Sequence, residues 1–444
     1  MLYSNMKWPS AALLLLMWTG IGGAGLPPPE RSYKVLVLLP VGSKSHRNVF
    51  MPLVEALADR GHKIDMLTSY DIKHKNLNIR EIPHGLPHYP KAQINMFDVA
   101  KRTSGIIGAL KERVCKMARD MYQVPHVKEL YRRRKEYDII IIDHLFHEID
   151  IHFPDLPPLL DIEKNQSLVL LNSHFSTGLT VPLLPSQVEV GGMHCRPAKP
   201  LPEDLKAWIE GAGSSGVIYF SLGSVTKGEN LPILYRNMFI EAFSKLDQRI
   251  IWKYETDFEG ILENVMINNW LPQQDILSHP NVKVFITHGG GLSLQEALYH
   301  STPVLVLPLF GDQPANGARA VTNKWGLSLN YADLSVDLIM RSLKEIMSNP
   351  VYKENVEQTS RLYRDQLSTP VDRAVFWTEY VIRHGGAPKL RSPAASLSWV
   401  QLLLLDVLAV FFLSVILLLF ILKCIVKKTL GVIFGPKVMK NKYE

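Results

Sequence analysis

The stretch Trp270–Gln313, WLPQQDILSHPNVKVFITHGGGLSLQEALYHSTPVLVLPLFGDQ, decides how the chain is read. Val282 to Thr287 is short, β-branched and almost uninterrupted, the pattern of a strand covered on both faces of a parallel sheet. It runs into His288-Gly289-Gly290-Gly291 and then into Leu292 to Tyr299, which has helical spacing. A strand, a glycine turn and a helix start form an anion cradle. Glycines let the ligand approach the backbone, and the first free N–H groups of the helix point at it. Ser293 falls in the first turn of that helix, and Glu296 lies on the same face at i, i+3. A second strand, Val304 to Leu307, ends in Pro308-Leu309-Phe310-Gly311-Asp312-Gln313. That places a carboxylate and an amide at a strand's carboxyl end, where open α/β sheets bind ligands. Each feature also has a bland reading: a tight packing turn, a core tryptophan at Trp270, a solvated Glu296. Their order and joint presence favour a site.

The same residues carry a resemblance. Trp270 with Gln273, His288 with Gly290, then Ser293, Glu296, Pro303, Pro308 and Asp312-Gln313 resemble the signature of the UDP-glycosyltransferases. The resemblance implies a two-domain GT-B α/β fold, with two Rossmann-like domains and a cleft between them. It implies that Trp270 stacks on uracil with Gln273 beside it. His288, Gly290 and Ser293 then meet the diphosphate, Glu296 accepts the ribose hydroxyls, and Asp312 and Gln313 bind sugar hydroxyls. Leu292 stands where many plant members carry Asn, a feature closer to animal members.

Upstream, Lys34 to Leu39, a helix from Phe50 to Arg60 and Lys63 to Thr68 read as a βαβ start. The loop after its first strand carries His46. In the family the matching imidazole is the general base, a task suited to its near-neutral pKa. Tyr137 to Ile142 reads as a buried strand ending in Asp143, which the resemblance casts as the partner orienting His46. Capping of a following helix is the bland alternative for Asp143. Helices are expected over Met96–Leu110 and Lys111–Tyr122. Between Asp143 and Leu168–Phe175, which resembles the family's last amino-domain strand, the family has a further stretch, on the order of two βαβ units. Its absence is expected to leave apolar sheet edges open. Asn165-Gln166-Ser167 is a glycosylation sequon.

Pro182 to Pro202 is a Pro-rich connector. Gly216 to Ser224 reads as a strand and glycine turn, and the resemblance puts Ser224 near the diphosphate. Helices are expected at Pro232–Leu246, Ala315–Lys324, Val336–Ser348, Tyr352–Leu367 and Val371–Arg383, the last crossing back to the first domain. The resulting division is a secretory signal over residues 1–25, an acceptor domain over 34–181 and a linker over 182–205. A donor domain over 206–370 and a crossing helix over 371–386 come next, then a transmembrane helix over 397–422 and a cytosolic tail over 423–444.

The 444 residues are 47% hydrophobic and 20% charged, a globular composition. The formal charge is +7, but six lysines crowd the last 22 residues and no basic-aromatic platform accompanies them, which argues against nucleic acid. Cys115, Cys195 and Cys424 have neither disulfide nor metal spacing, and His194-Cys195 reads as a loop pair near a hinge. The chain has no Asp-x-Asp motif, and no metal or cofactor is expected beyond the UDP-sugar substrate. Leu397 to Leu422 is long enough to span a bilayer. Lys423, Lys427 and Lys428 come directly after it, which orients the tail to the cytosol. Lys440 to Glu444 resembles a dilysine retrieval signal. The expectation is a single-pass type I protein of the endoplasmic reticulum membrane. It would transfer glucose or glucuronic acid, with inversion, from a UDP-sugar to a small lipophilic acceptor. A homo- or hetero-oligomer is compatible with this. The rival is a catalytically silent short form that keeps the UDP-sugar site and pairs with full-length relatives. A lumenal sugar-binding chaperone fits the location but not the diphosphate site.

Overall fold

The computed structural model describes residues 26–39, 44–86, 97, 116, 119–143, 165–224 and 226–435. The expected signal, most of the two helices within 96–122 and the dilysine tail lie outside the described residues.

The first region begins β1 (Lys34–Leu38), α1 (Lys44–Asp59), β2 (Lys63–Thr68) and β3 (Ile79–Pro83). After α2 (Pro125–Arg132), β4 (Ile139–Ile142) returns to pair with β1. The result is a four-stranded parallel sheet ordered β3-β2-β1-β4. Two further strands, β5 (Val169–Leu171) and β6 (Gln187–Glu189), pair in parallel with each other as a separate sheet. They still share an apolar cluster with the larger one: Ile139 and Ile141 of β4 and Leu170 of β5 pack against Val35, Val37 and Val188.

The second region is built on six parallel strands, β7 (Val217–Ser221), β8 (Arg249–Lys253), β9 (Val265–Asn268), β10 (Val282–Thr287), β11 (Val304–Val306) and β12 (Gly326–Ser328). Their order is β12-β11-β10-β7-β8-β9. From β7 the chain winds first toward β9, then returns to β10 and winds the other way, so the topological switch lies between β7 and β10. Alternation along the strands fills two cores. Val217, Tyr219 and Phe285 face one set of helices, and Ile218, Phe220 and Trp252 face the other. The helices are α3 (Glu203–Glu210), α4 (Ile233–Phe243), α5 (Gln273–Leu277), α6 (Gly291–Tyr299), α7 (Gln313–Thr322), α8 (Val336–Ser348) and α9 (Pro350–Arg364).

Helix α10 (Pro370–Arg383) ties the two regions together. Its Ala374 and Val375 enter the first region's core. Its Glu379 is 2% exposed and receives both Arg60 and His62. Because Nδ1 of His62 accepts from the Tyr33 N–H, the other ring nitrogen carries the proton and donates to Glu379 at 3.0 Å.

The apolar C-terminal helix, α11, runs Leu405–Phe434 rather than 397–422. A separate turn at Trp399–Leu402, closed by a Ser398/Gln401 capping box, precedes it, and Leu404 breaks the helix with φ of 52°. Asp406 therefore sits in the first turn of α11, at the start of the apolar run, where a carboxylate is favoured. Leu405–Ile433 is the one span among the described residues long and apolar enough to cross a membrane.

Candidate functional site

The switch point puts the carboxyl ends of β7 and β10 side by side, and each leads into a glycine-rich turn. After β10, Gly289 has φ of 79°. Gly290 and Gly223 enclose His288: a Cβ on either would come within 2.6 Å of the imidazole, so glycine is required at both. Gly290 is the N-cap of α6 and gives it no side-chain cap; the first N–H of the helix, on Gly291, goes instead to Asp312 Oδ2 at 3.2 Å. Nδ1 of His288 is buried and has no hydrogen-bond partner among the described residues. Burial pushes this imidazole down to about 4, so it is neutral near pH 7. Ser224 is half-buried in the turn after β7. An orphaned ring nitrogen beside a helix start whose N-cap is glycine is the geometry of an anion site.

Gln273, Ser293 and Glu296 converge beside this turn. Nε2 of Gln273 donates to Ser293 Oγ at 3.2 Å and to Glu296 Oε2 at 2.6 Å, while its carbonyl oxygen accepts from the Tyr219 hydroxyl at 3.1 Å. Burial raises the Glu296 carboxyl to about 7, against the opposing pull of Gln273, Arg196 and Gln274. Trp270 comes after β9 at the rim and is 54% exposed, which removes the core-aromatic reading. Asp312 is exposed, and its Oδ2 accepts from the Gly291 N–H at 3.2 Å and from Asn316 Nδ2 at 2.7 Å. Gln313 is buried, with its amide oxygen bonded to the Leu309 and Phe310 N–H groups. Of that pair, Asp312 is the one facing solvent.

In the first region, His46 is not in a loop: α1 starts at Lys44, six residues earlier than its apolar periodicity indicates, and takes His46 into its first turn. Asp143 comes directly after β4, and its N–H donates to the Leu38 carbonyl at 3.3 Å. Since β1 and β4 are parallel neighbours, both residues stand at the same carboxyl edge. Asn165 is exposed and its side-chain oxygen accepts from Arg391.

Two residues escape the sequence reading. Lys253 ends β8, is 8% exposed, pairs with Glu255, and its charge helps hold His288 neutral. A cation closing the apolar run Arg249–Lys253, in a parallel sheet whose strand ends form a crevice, is the signal that could have found it. His194 lies in a turn of the connector, in line with a loop residue, but its side chain is buried against α6, with Nε2 3.7 Å from Glu296 Oε1.

Residues 147–438 match the family described as UDP-glucoronosyl and UDP-glucosyl transferase. The chain belongs to that family. It is 42% identical over 255 residues to UDP-glycosyltransferase UGT5 of Dactylopius coccus, covering 57% of this chain and 48% of that protein. It is 40% identical over 241 residues to UDP-glucuronosyltransferase 2B15 of Homo sapiens, covering 54% and 45%. The chain thus spans about half the length of the curated relatives it matches. Among solved structures, a UDP-glucosyltransferase from Polygonum tinctorium superposes with a TM-score of 0.57 at 15% identity, over 80% of this chain and 99% of that one. The glycosyltransferase VinC in complex with DTDP gives 0.56 at 16% identity, over 79% and 100%. These likenesses establish the GT-B fold.

Proposed function

We propose that the chain transfers a hexose from a UDP-sugar to the hydroxyl of a small lipophilic acceptor, with inversion at the anomeric carbon. The observation that carries this is the convergence of Gln273, Ser293 and Glu296 beside the orphaned His288 nitrogen at the glycine N-cap of α6, on the switch point. The exposed Trp270 offers its face to uracil, and Glu296 accepts the ribose hydroxyls. The α6 N–H groups, His288 and Ser224 receive the diphosphate, with Lys253 as a neighbouring positive charge, and Asp312 receives sugar hydroxyls. His46 takes the acceptor's proton as its oxygen bonds to the anomeric carbon. The bond from that carbon to the β-phosphate oxygen breaks, and the electron pair leaves with UDP. Asp143 stabilises the imidazolium that forms. The start of α6 stabilises the charge gained by the leaving diphosphate. We place these regions in the endoplasmic reticulum lumen, with α11 as a type I anchor and glucose as the preferred sugar.

One observation favours a second reading, a silent short form that binds UDP-sugar and pairs with longer relatives. Among the described residues β4 pairs with β1 alone, and β5 and β6 stand apart as their own sheet. The deciding experiment uses membranes that express the whole chain. UDP-glucose and UDP-glucuronic acid are each offered with a panel of phenols, with His46→Ala as control. Transfer that disappears in the control supports the enzyme. UDP binding that Trp270→Ala abolishes, without any transfer, supports the silent form. Absence of both sinks the two readings together.

A further inference from the structure

Resting on the donor-site reading above, we propose that His194 is a positioning residue of that site. It pins one turn of α6 so that the diphosphate-binding start and the ribose-binding carboxylate keep a fixed spacing. His194 comes from the connector between the two regions, 98 positions from Leu292 in sequence. Its Nε2 lies 3.2 Å from the Leu292 carbonyl and 3.7 Å from Glu296 Oε1. These are the two ends of a single helical turn. The Leu292 end opens the helix whose N–H groups face the anion, and the Glu296 end carries the acceptor for the ribose.

Burial pushes the His194 imidazole down to about 4, so the ring is neutral and Nε2–H donates. That N–H bonds the Leu292 carbonyl and points its partial positive charge toward Glu296, 3.7 Å away, without a second hydrogen bond. A cation at this place would instead pull the carboxylate toward the connector and away from the ligand.

The neighbouring contacts act in the same direction. The His194 carbonyl accepts from Gln274 Nε2 at 3.0 Å, and that amide also reaches Glu296 Oε1 at 3.4 Å. The Arg196 N–H donates to Gln274 Oε1 at 2.9 Å, and the Arg196 guanidinium grips Asp275 through two bonds of 2.6 and 2.8 Å. The connector segment His194–Arg196 thus clasps α5 and α6 from behind. Gln273 and Glu296, which face the ligand, project from those two helices. Because the connector joins the two regions, movement of the first region acts on donor affinity through this imidazole. By reciprocity, donor binding biases that movement.

A merely structural histidine would lower stability without changing how UDP binding depends on pH or on Glu296. The test therefore measures UDP binding by calorimetry on the detergent-solubilised full chain, across neutral pH. The variants are His194→Leu, His194→Gln, Glu296→Gln and the His194→Leu/Glu296→Gln double variant. The titratable and polar groups facing Glu296 are His194, Cys195, Arg196, Gln273, Gln274 and Tyr219, and only the first is altered. His194→Leu is expected to weaken UDP about ten-fold, the size of one lost buried hydrogen bond, and to move the pH midpoint of binding. His194→Gln, which keeps a side-chain N–H, recovers most of the affinity. In the Glu296→Gln background the leucine substitution adds little, because its effect passes through that carboxylate.

A folded His194→Leu with unchanged affinity and midpoint, or full additivity in the double variant, overturns the proposal. If the leucine variant does not fold, His194→Gln decides: a loss of UDP affinity of about ten-fold or more despite the retained N–H overturns it equally. Wild-type protein that binds no UDP overturns the donor-site reading itself, an outcome distinct from both.

Discussion

β10 and β4 are two aliphatic runs of almost the same character, VKVFIT and IIII, and the fold treats them differently. β10 lies between β7 and β11, and its Val282, Val284, Phe285, Ile286 and Thr287 are all buried. β4 has β1 on one side and no strand on the other among the described residues. Its isoleucines are half-buried, and Ile142 reaches 36% exposure. An apolar run therefore specifies a strand through its own β-branched stiffness, but its coverage depends on which other segments the chain supplies. The second region supplies them and brings its strand ends into one crevice. The first region holds its catalytic candidates at an edge with less support behind them.

The largest effect that separates the two regions is chemical. His46→Ala is expected to lower transfer by two to four orders of magnitude, roughly the contribution of a general base, while the UDP dissociation constant stays unchanged. Initial rates and equilibrium binding on one preparation check this. A parallel loss of UDP binding would show that the regions are not separable and would break the comparison.

Next comes the join between them. Glu379 is buried and held by Arg60, His62 and Arg383. Glu379→Ala strands those donors and is expected to cost about 3 kcal/mol, the range for removing one member of a buried ion pair. The loss should fall on the first region. Hydrogen exchange would then show β1 and β2 opening faster while β7 and β10 keep their protection. Uniform deprotection would mean that the chain unfolds as one unit.

The third difference lies in pH. Burial raises the Glu296 carboxyl to about 7, and in the role proposed for it the ionised form accepts ribose hydroxyls, so UDP affinity should rise as pH increases through about 7. The unliganded fold has the opposite sign. A carboxyl whose folded value is raised contributes stability that is fully present below its unfolded value near 4.3, and that contribution is lost as pH rises through about 7. Glu296→Gln should flatten both curves. Thermal unfolding with and without UDP, at acid and mildly alkaline pH, measures the two signs in one experiment. An unchanged slope in the variant would assign the titration to another group.

How far the sequence can be read depends on how local each signal is. The β10–α6 junction is legible because strand, turn and helix signals are contiguous and agree. Sequence puts His46 in a loop because the start of α1 lacks the apolar spacing that marks its body from Phe50. It puts the anchor eight residues early because residues 397–404, despite Ser398 and Gln401, continue the apolar run without a break in sequence. Only the backbone break at Leu404 separates the two. Gln273 meeting Ser293 and Glu296 can be anticipated within one segment, whereas His194 meeting Leu292 is a contact between distant parts of the chain. No periodicity encodes such a contact, and a His-Cys pair in a Pro-rich connector gives no sign of burial.

The smallest effect tests the comparison on its own terms, one methylene at a time. Ile286→Val in β10 removes a fully buried group from close packing and should cost about 1 kcal/mol. Ile141→Val in β4 removes the same group from a half-buried site where neighbours and solvent can fill the space, and should cost less than about 0.5 kcal/mol. Both substitutions keep β-branching, so strand propensity is held constant and the difference reports coverage alone. Paired denaturant titrations monitored by a probe in each region measure it, with equal slopes required so that the denatured state is shared. If Ile141→Val costs as much as Ile286→Val, then β4 is as well covered as β10. The silent-form reading would then lose its structural motive, and the enzyme reading would stand without a rival.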